Sequence, residues 1–425
     1  MREREQAPGL AAPAPDGQPV VRLYTLLALN NAAMFAAYAG VNAILVPGRI
    51  AAIDPRHKVT DVALVAGISA ICAVLANPVG GALSDRTGSR FGRRRPWLLI
   101  GSLGALAGMA VLADARTLAI LLIAQCVTQA MMNVYQAALT AIVPDRVPVR
   151  RRGVVSAVIG VAVTLGTAGG TAAAAELAGS RTAFYVLALA LVGAALLLAV
   201  LTPDPPVARP APAGDQPARG GGRRLARRVG GALSVLRGGD LAWVFAGRAA
   251  MILSYNLVFV YLLYIVADYV RKPAGITAAQ GVAILTVVSV ATSILAIVAA
   301  GILADRLNRY RAFVFAASLL GGAALILPAI SPAWSVILAC AAIEGLAIGV
   351  YLAVDTALVT LVLPSAQTAA RDLGVVNIAN AGPPVAAPFI ASLIVLAAGY
   401  RAVFVCGCVI ALLASVTVWR VRGVP

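Results

Sequence analysis

Three ionisable side chains, Arg248, Glu344 and Asp355, lie inside long apolar stretches, and amides and tyrosines accompany them at helical spacing. An ion at the centre of a bilayer costs at least about 2.5 kcal/mol, so such groups face a water-filled path or pair with one another. Glu344 falls near the middle of its stretch, where a carboxyl group can load and release a proton, while Asp355 and Arg248 lie towards one common side and are placed to pair. Asn31, Tyr38 and Asn42 stand at i, i+7 and i+11, and Glu344, Tyr351 and Asp355 repeat that spacing. Gln125, Gln129, Asn133 and Gln136 run i, i+4, i+8, i+11, and Tyr255 follows Arg248 by seven with Asn256 beside it. Each set makes one stripe along a helix. Uncharged amides and phenols donate, accept and stack with no charge to dehydrate, which suits a hydroxyl-rich ligand. The same amides also serve as interhelical hydrogen bonds worth about 0.6 to 2 kcal/mol each, so spacing leaves both roles open; four successive turns on one helix favour the cavity role.

Such stripes need long apolar helices to carry them. Hydrophobic residues make up 61% of the chain and charged ones 12%, half the roughly 25% of an ordinary soluble domain, which excludes a water-soluble fold. With about 20 apolar residues per span, the expected fold class is an all-α membrane protein of about twelve transmembrane helices. The expected spans are 22–47, 60–83, 96–114, 117–142, 153–178, 182–201, 241–267, 276–304, 311–331, 333–362, 372–397 and 400–420. GALSDR at Gly81 to Arg86 returns as GILADR at Gly301 to Arg306, each after the second span of a set of six. Two parallel six-helix halves follow, at 22–201 and 241–425, joined by a Pro-, Gly- and Arg-rich linker at 202–240 and preceded by a disordered tail at 1–21.

The formal net charge of +17 raises nucleic acid as a partner, but most of the 34 Lys and Arg fall in the loops of one side and in the termini. That bias predicts cytoplasmic termini in a bacterial inner membrane, and no nucleic-acid partner. Cys72, Cys126, Cys340, Cys406 and Cys408 show no ligand spacing, and no HExxH, nucleophile elbow or Walker A segment is present, so no metal, cofactor, catalytic residue or enzyme activity is expected. His57, the one histidine, reads as a solvated loop residue, and Asp61 and Glu176 as anchors near span ends, where charge is cheap. Gly101, Gly104 and Gly108 and the run from Gly166 to Ala175 predict close helix packing, and Pro383, Pro384 and Pro388 a bend.

Gly81, Leu83, Asp85, Arg86, Gly88, Arg90, Arg93, Arg94 and Arg95 read GxLxDRxGxRxxRRR, which resembles the loop between helices 2 and 3 of the major facilitator superfamily, with Gly301, Asp305 and Arg306 as its partial repeat. Gly81 is expected where two helices approach closely, and Asp85 to pair with the loop arginines, the set forming a gate. The longer string SDRTGSRFGRRRPW, Ser84 to Trp97, with VDTALVTLVLP at Val354 to Pro364 and ARDLGVVNIANAGPPVAAP at Ala370 to Pro388, looks more narrowly like the glycoside/pentoside/hexuronide cation symporters and the sucrose:proton symporters. The resemblance implies a central cavity lined by helices 1, 4, 7 and 10. Asn31, Tyr38, Asn42, Gln125, Gln129, Asn133, Gln136, Tyr255, Asn256 and Tyr351 would then bind substrate, and Glu344, Asp355 and Arg248 couple it to protons. It implies symport of a saccharide or glycoside by a monomer whose halves rock in the bilayer. Three departures stand: Leu118 to Ile142 lacks the carboxylate of the plant sucrose carriers, their arginine within helix 5 is matched only by Arg150 to Arg152 before its start, and Gly382, Pro383, Pro384 stand where bacterial relatives read LPQ. The alternative is proton-driven efflux of a drug or secondary metabolite, although Gly166, Gly169 and Gly170 form a shorter glycine run than exporters carry and lack their proline.

Overall fold

In hydrocarbon every peptide N–H and C=O must bond within its own segment, so the apolar runs become helices. The computed structural model describes residues 18–89, 91–202, 239–307, 309–362 and 369–420, with side chains from 21 onward except at 240–241, 305, 355–362 and 369–377. Residues 1–17 of the expected tail and nearly all of the linker, as well as Arg90, lie outside the described residues, whereas residues 18–21, expected in the disordered tail, open the first helix. Eleven helical runs among the described residues are long and apolar enough to cross a membrane. The last, Ala369–Trp419, is two helices broken at Gly399, whose φ of 75° only glycine adopts at no steric cost. Counting that pair separately gives the twelve spans expected of this multi-pass membrane protein.

In chain order, α1 runs Gln18–Gly40, continuing to Ile53. Next come α2 Lys58–Arg86, α3 Arg95–Asp114, α4 Leu118–Arg146, α5 Arg152–Glu176 and α6 Thr182–Leu201. The second set is α7 Asp240–Phe259, α8 Ala278–Leu307, α9 Tyr310–Ile330 and α10 Trp334–Val362, then α11 at 369–398 and α12 at 400–419. Within the first set α1 packs on α5 and α6, and α4 on α2 and α3; the second set pairs α7 with the α11–α12 run, α8 with α10, and α9 with α10 and α12. The two sets meet where α2 crosses α11 and α5 crosses α8.

α1 extends further than the apolar pattern alone suggests, through a π-helical turn at Val41–Leu45 into Val46–Ile53. Pro47 offers no N–H to the carbonyl four residues earlier, and the Val46 N–H reaches Val41 O instead of the usual i−4 acceptor. The first helix of the second set ends alike: after Leu262–Tyr264 a π-helical turn at Ile265–Tyr269 closes with Val270 N–H on Ile265 O.

The glycine-rich surfaces behave as expected. A Cβ on Gly166 would overlap the backbone of Ala32, one on Gly170 that of Ala36, and one on Gly101 would lie 2.9 Å from Met131 O. Gly345 and Gly349 of α10 stand in the same relation to the backbone of Ser289 and Ser293 on α8. Gly169, between the two contact positions, faces open space. Gly170→Val should therefore cost about 1 to 3 kcal/mol or more by overpacking and lower the melting temperature of the purified protein sharply, while Gly169→Ala leaves it unchanged within error. Thermal unfolding of both variants in detergent, followed by size-exclusion chromatography, checks this.

Candidate functional site

A cavity with about 660 Å³ of empty space lies between the two helix sets, lined by Tyr38 and Asn42 of α1, Ser69 of α2, Gln125 and Gln129 of α4, Asn256 and Phe259 of α7, and Pro384 and Pro388 of α11. The π turn carries Asn42 into it. Asn42 Nδ2 donates to Tyr38 O at 2.7 Å, which aims its Oδ1 at α4; that oxygen accepts from Gln125 Nε2 at 3.0 Å and Gln129 Nε2 at 2.8 Å. With both amide donors so engaged, Gln125 Oε1 and Gln129 Oε1 are buried without a hydrogen-bond partner. A buried acceptor left unmet costs about 1 to 3 kcal/mol, so the site attracts a donor. Tyr38 keeps 38% of its surface exposed, an aromatic face available for stacking.

The other amides of the expected stripes are not among the residues lining this cavity, and they bond chiefly within their own helices. Asn31 is buried with Nδ2 on Leu27 O, and Asn133 Nδ2 lies on Gln129 O while its Oδ1 lies 3.5 Å from Asn77 Nδ2 of α2. Gln136 is half-buried two turns beyond Gln129 and is not among the residues lining this cavity. Asn30, absent from the sequence expectation, carries the most structural bonding: its Oδ1 accepts from Tyr135 of α4 and its Nδ2 donates to Ala194 O of α6 at 3.0 Å.

A second, more apolar cavity abuts the first at Phe259 and runs between α7, α8 and α10, where Tyr255, Thr286, Ser289, Cys340 and Glu344 line it. Tyr255 stacks on Phe259, with ring centroids 5.4 Å apart at 19°. The Glu344 carboxylate forms no ion pair or hydrogen bond with the described residues. Tyr351, one helical face along, belongs instead to a small core with Val244, Met251 and Val354. Arg248 donates from Nε to Asn380 Oδ1 of α11 at 2.7 Å, and the side chain of Asp355 lies outside the described residues.

At one end of the bundle the motif loop forms a charge network. Asp85 Oδ1 lies 3.0 Å from Arg93 and 2.7 Å from Arg94, and Asp145 Oδ2 lies 2.9 Å from Arg94 Nε. Arg94 is 4% exposed and also donates to Ser84 Oγ, so α2, α3 and α4 are joined through one guanidinium. Arg95 donates to Thr202 O, at the close of α6, and Arg86 is solvent-exposed. Asp145 went unnoticed in the sequence, though an acid at the end of α4 in a chain with 17 acids against 34 bases marked it. The close approach expected at Gly81 falls one residue earlier: a Cβ on Gly80 would lie 2.9 Å from Val134 Cα, whereas Gly81 and Gly301 face open space. The helical rotation of 100° per residue turns Gly81 away from α4. Asp305, like Arg90, has no described side chain, and Arg306 is exposed.

The opposite end holds the two sets together. Lys58 Nζ pairs with Asp268 Oδ2 at 2.7 Å and sits 5.0 Å over the Tyr264 ring, while Tyr400 donates to the same carboxylate at 3.0 Å. The Tyr264 hydroxyl donates to Pro47 O, and that of Tyr261 lies 2.9 Å from Val59 O and 3.2 Å from Pro388 O. Asp61 is 7% exposed beside this seam, not an interfacial anchor as its place near a span end suggested, because α7 and its π turn cover the start of α2. In the adjoining loop His57 Nδ1 lies 2.9 Å from Asp54 Oδ2, a pair that holds the imidazole above and the carboxyl below its ordinary value.

Twelve long apolar helices in two sets around a polar cavity define a membrane transporter, and the family model that matches residues 27–277 and 249–425 is that of the Major Facilitator Superfamily, to which the chain belongs. Two structures of a bacterial homologue of the human lysosomal transporter Spinster share the fold at 14% identity over 95% of this chain and 97% of that one. Their TM-scores are 0.70 for the inward-facing, occupied form and 0.66 for the inward-facing, unoccupied form. Among curated relatives, proton-associated sugar transporter A of Homo sapiens is 49% identical over 55 residues, 13% of this chain and 7% of that protein. Its counterparts in Mus musculus and Rattus norvegicus are 51% identical over 49 residues, 12% of this chain and 6% of theirs. The match therefore spans a small fraction of those relatives' length.

Because His57 is the one histidine, its titration can be followed as a single NMR resonance. The midpoint should lie above 6.5 and fall back towards that value in Asp54→Asn. The sign for stability follows: the bond contributes below the unfolded midpoint and is lost as pH rises through the folded one.

Proposed function

We propose that the protein moves a hydroxyl-rich small solute, a saccharide or glycoside, by proton-coupled symport through alternating access. The observation that carries this reading is the pair of buried, unpartnered carbonyls of Gln125 and Gln129 beside Asn42 and the open face of Tyr38. Sugar hydroxyls supply the missing donors, and a pyranose face stacks on the phenol. Tyr38, Asn42, Gln125, Gln129 and Asn256 form the binding set, and Tyr255 stands at the junction with the Glu344 cavity. Glu344 is the proposed proton carrier because it lines a cavity with no counter-ion among the described residues; Arg248 and Asn380 tie α7 to α11. The short match to a relative named for protons and sugar supports the same solute class.

The seam of Lys58, Tyr261, Tyr264 and Asp268 closes one mouth. With cytoplasmic termini in a plasma membrane the closed mouth is the outer one and this is a state open to the cytoplasm, in which the described bonds of Asp85, Arg93, Arg94 and Asp145 join α2, α3 and α4. The monomer is the working unit. One observation favours the second reading, proton-driven export of an apolar solute: the Glu344 cavity is chiefly apolar, with Leu285, Ile337 and Phe404 among its walls.

Sealed proteoliposomes with a pH dye inside decide between them. One sugar of a mono- and disaccharide panel should acidify the lumen for the wild type. Gln129→Leu should raise the half-saturating concentration about 5- to 150-fold, the cost of about 1 to 3 kcal/mol for a lost polar partner. Glu344→Gln should abolish the proton flux while sugar exchange persists. If no sugar moves protons and an imposed gradient drives a lipophilic cation outward, export replaces symport.

A further inference from the structure

A third recess lies at the seam end, apart from the central cavity, between the end of α1, the turn joining α5 to α6, and the start of α8. Arg49, Arg181 and Gly48 line it together with the apolar side chains of Ile44, Phe184 and Leu263. Arg181 is exposed and pairs with Asp114 at 2.8 Å. Arg49 is different. It is half-buried, one terminal nitrogen donates to Ala115 O at 2.7 Å, and its Nε is buried without a hydrogen-bond partner. No carboxylate lies within ion-pair distance of it among the described residues. Withdrawing a cation from water carries a penalty that an opposite charge ordinarily offsets. The nearby acids are already engaged, Asp114 by Arg181 and Asp54 by His57.

We propose that this recess binds a phosphate group, with Arg49 and Arg181 as its cationic partners, and that occupancy favours the state in which the seam is closed. Guanidinium offers a planar set of donors that matches phosphate oxygens, and Arg181 can engage one while keeping its bond to Asp114. Space for the ligand exists where a Cβ on Gly48 would meet nothing within 4 Å. The coupling follows from the walls: Ile44 and Arg49 belong to the first half and Leu263 and Ala279 to the second, so a ligand touching both is bound more tightly when they are together. Two sources carry this chemistry, the headgroup of an anionic phospholipid and a free inorganic phosphate. The apolar wall of Ile44, Phe184 and Leu263 gives an acyl chain a surface that a free ion does not use. None of these residues contacts the central cavity, so the site stands or falls independently of the transported solute.

The test is thermal unfolding of the delipidated full chain in neutral detergent, titrated separately with dioctanoyl phosphatidylglycerol, dioctanoyl phosphatidylcholine and inorganic phosphate. The proposal expects a saturable rise in melting temperature with phosphatidylglycerol, little with phosphatidylcholine, and a half-saturating concentration at least tenfold higher in Arg49→Gln. Gly48→Leu keeps every charge but fills the recess, and should lose the response to the same extent while the unliganded protein melts within a few degrees of wild type. It carries the test alone should Arg49→Gln fail to fold. A shift with inorganic phosphate equal to that with phosphatidylglycerol, and lost in the same variants, assigns the free anion as the ligand. No shift with either anion, or a shift that survives Gly48→Leu and Arg49→Gln, overturns the proposal.

Discussion

Few polar groups join the two halves at one end, set on the apolar packing of α2 against α11 and α5 against α8, and the balance between states of the molecule depends on them. Lys58 meets Asp268 across the seam, Tyr400 shares that carboxylate, and two tyrosines of the second half reach backbone carbonyls of the first. A partly exposed ion pair contributes up to about 1 kcal/mol and each hydrogen bond about 0.5 to 1.5 kcal/mol, so the polar bonds of the seam amount to a few kcal/mol. About 5.5 kcal/mol is needed to drive a two-state equilibrium from 1:99 to 99:1. The seam is thus strong enough to bias the halves towards closure at that end and weak enough for bound solute or proton to reverse it, which is what the proposed cycle requires.

Both π turns lie beside this seam and share its logic. Each occurs in or after the first helix of a half, each widens the turn by one residue, and Tyr264, just before the second, reaches Pro47, just after the first. The turn in α1 also sets Asn42 against α4, so the residue that engages both glutamine donors is positioned by the same local irregularity that shapes the closed mouth. Movement of one half against the other that displaces Pro47 therefore bears on the Asn42 cluster. In the proposed mechanism this links solute binding to gate closure with no separate relay.

The helices, their order and the glycine contacts were legible in the sequence because apolar length and small-residue spacing are local properties; the repeat of GALSDR as GILADR announced the two sets. The stripes join Asn42, Gln125 and Gln129, which line the cavity, to Asn31 and Asn133, which are not among its lining residues, since periodicity gives a face and not what lies opposite it. Asn30, one residue outside the chosen stripe, was missed because its partners come from α4 and α6. Asp61 looked cheap at a span end, yet the seam buries it, and Asp145 became part of the motif network only through the fold of α4 against the loop. The π turns had one local hint, Pro47, and the turn in α7 had none. Gly81 shows the same limit at the scale of one residue, since its motif position was clear while the neighbour it lacks was not.

The claim that the seam governs which mouth is closed is tested most directly by the distance between its two sides. Spin labels at Arg56 and Ala274, both exposed in loops of opposite halves, can be placed in a background with the five native cysteines replaced. Double electron–electron resonance on this pair, with and without Lys58→Ala, reads the separation as a distribution. The account predicts a dominant short-distance population that gives way severalfold to a longer one when Lys58 is removed, with Asp268→Asn acting in the same direction. A distribution unchanged by either substitution would contradict it, and would place control of the halves elsewhere in the molecule.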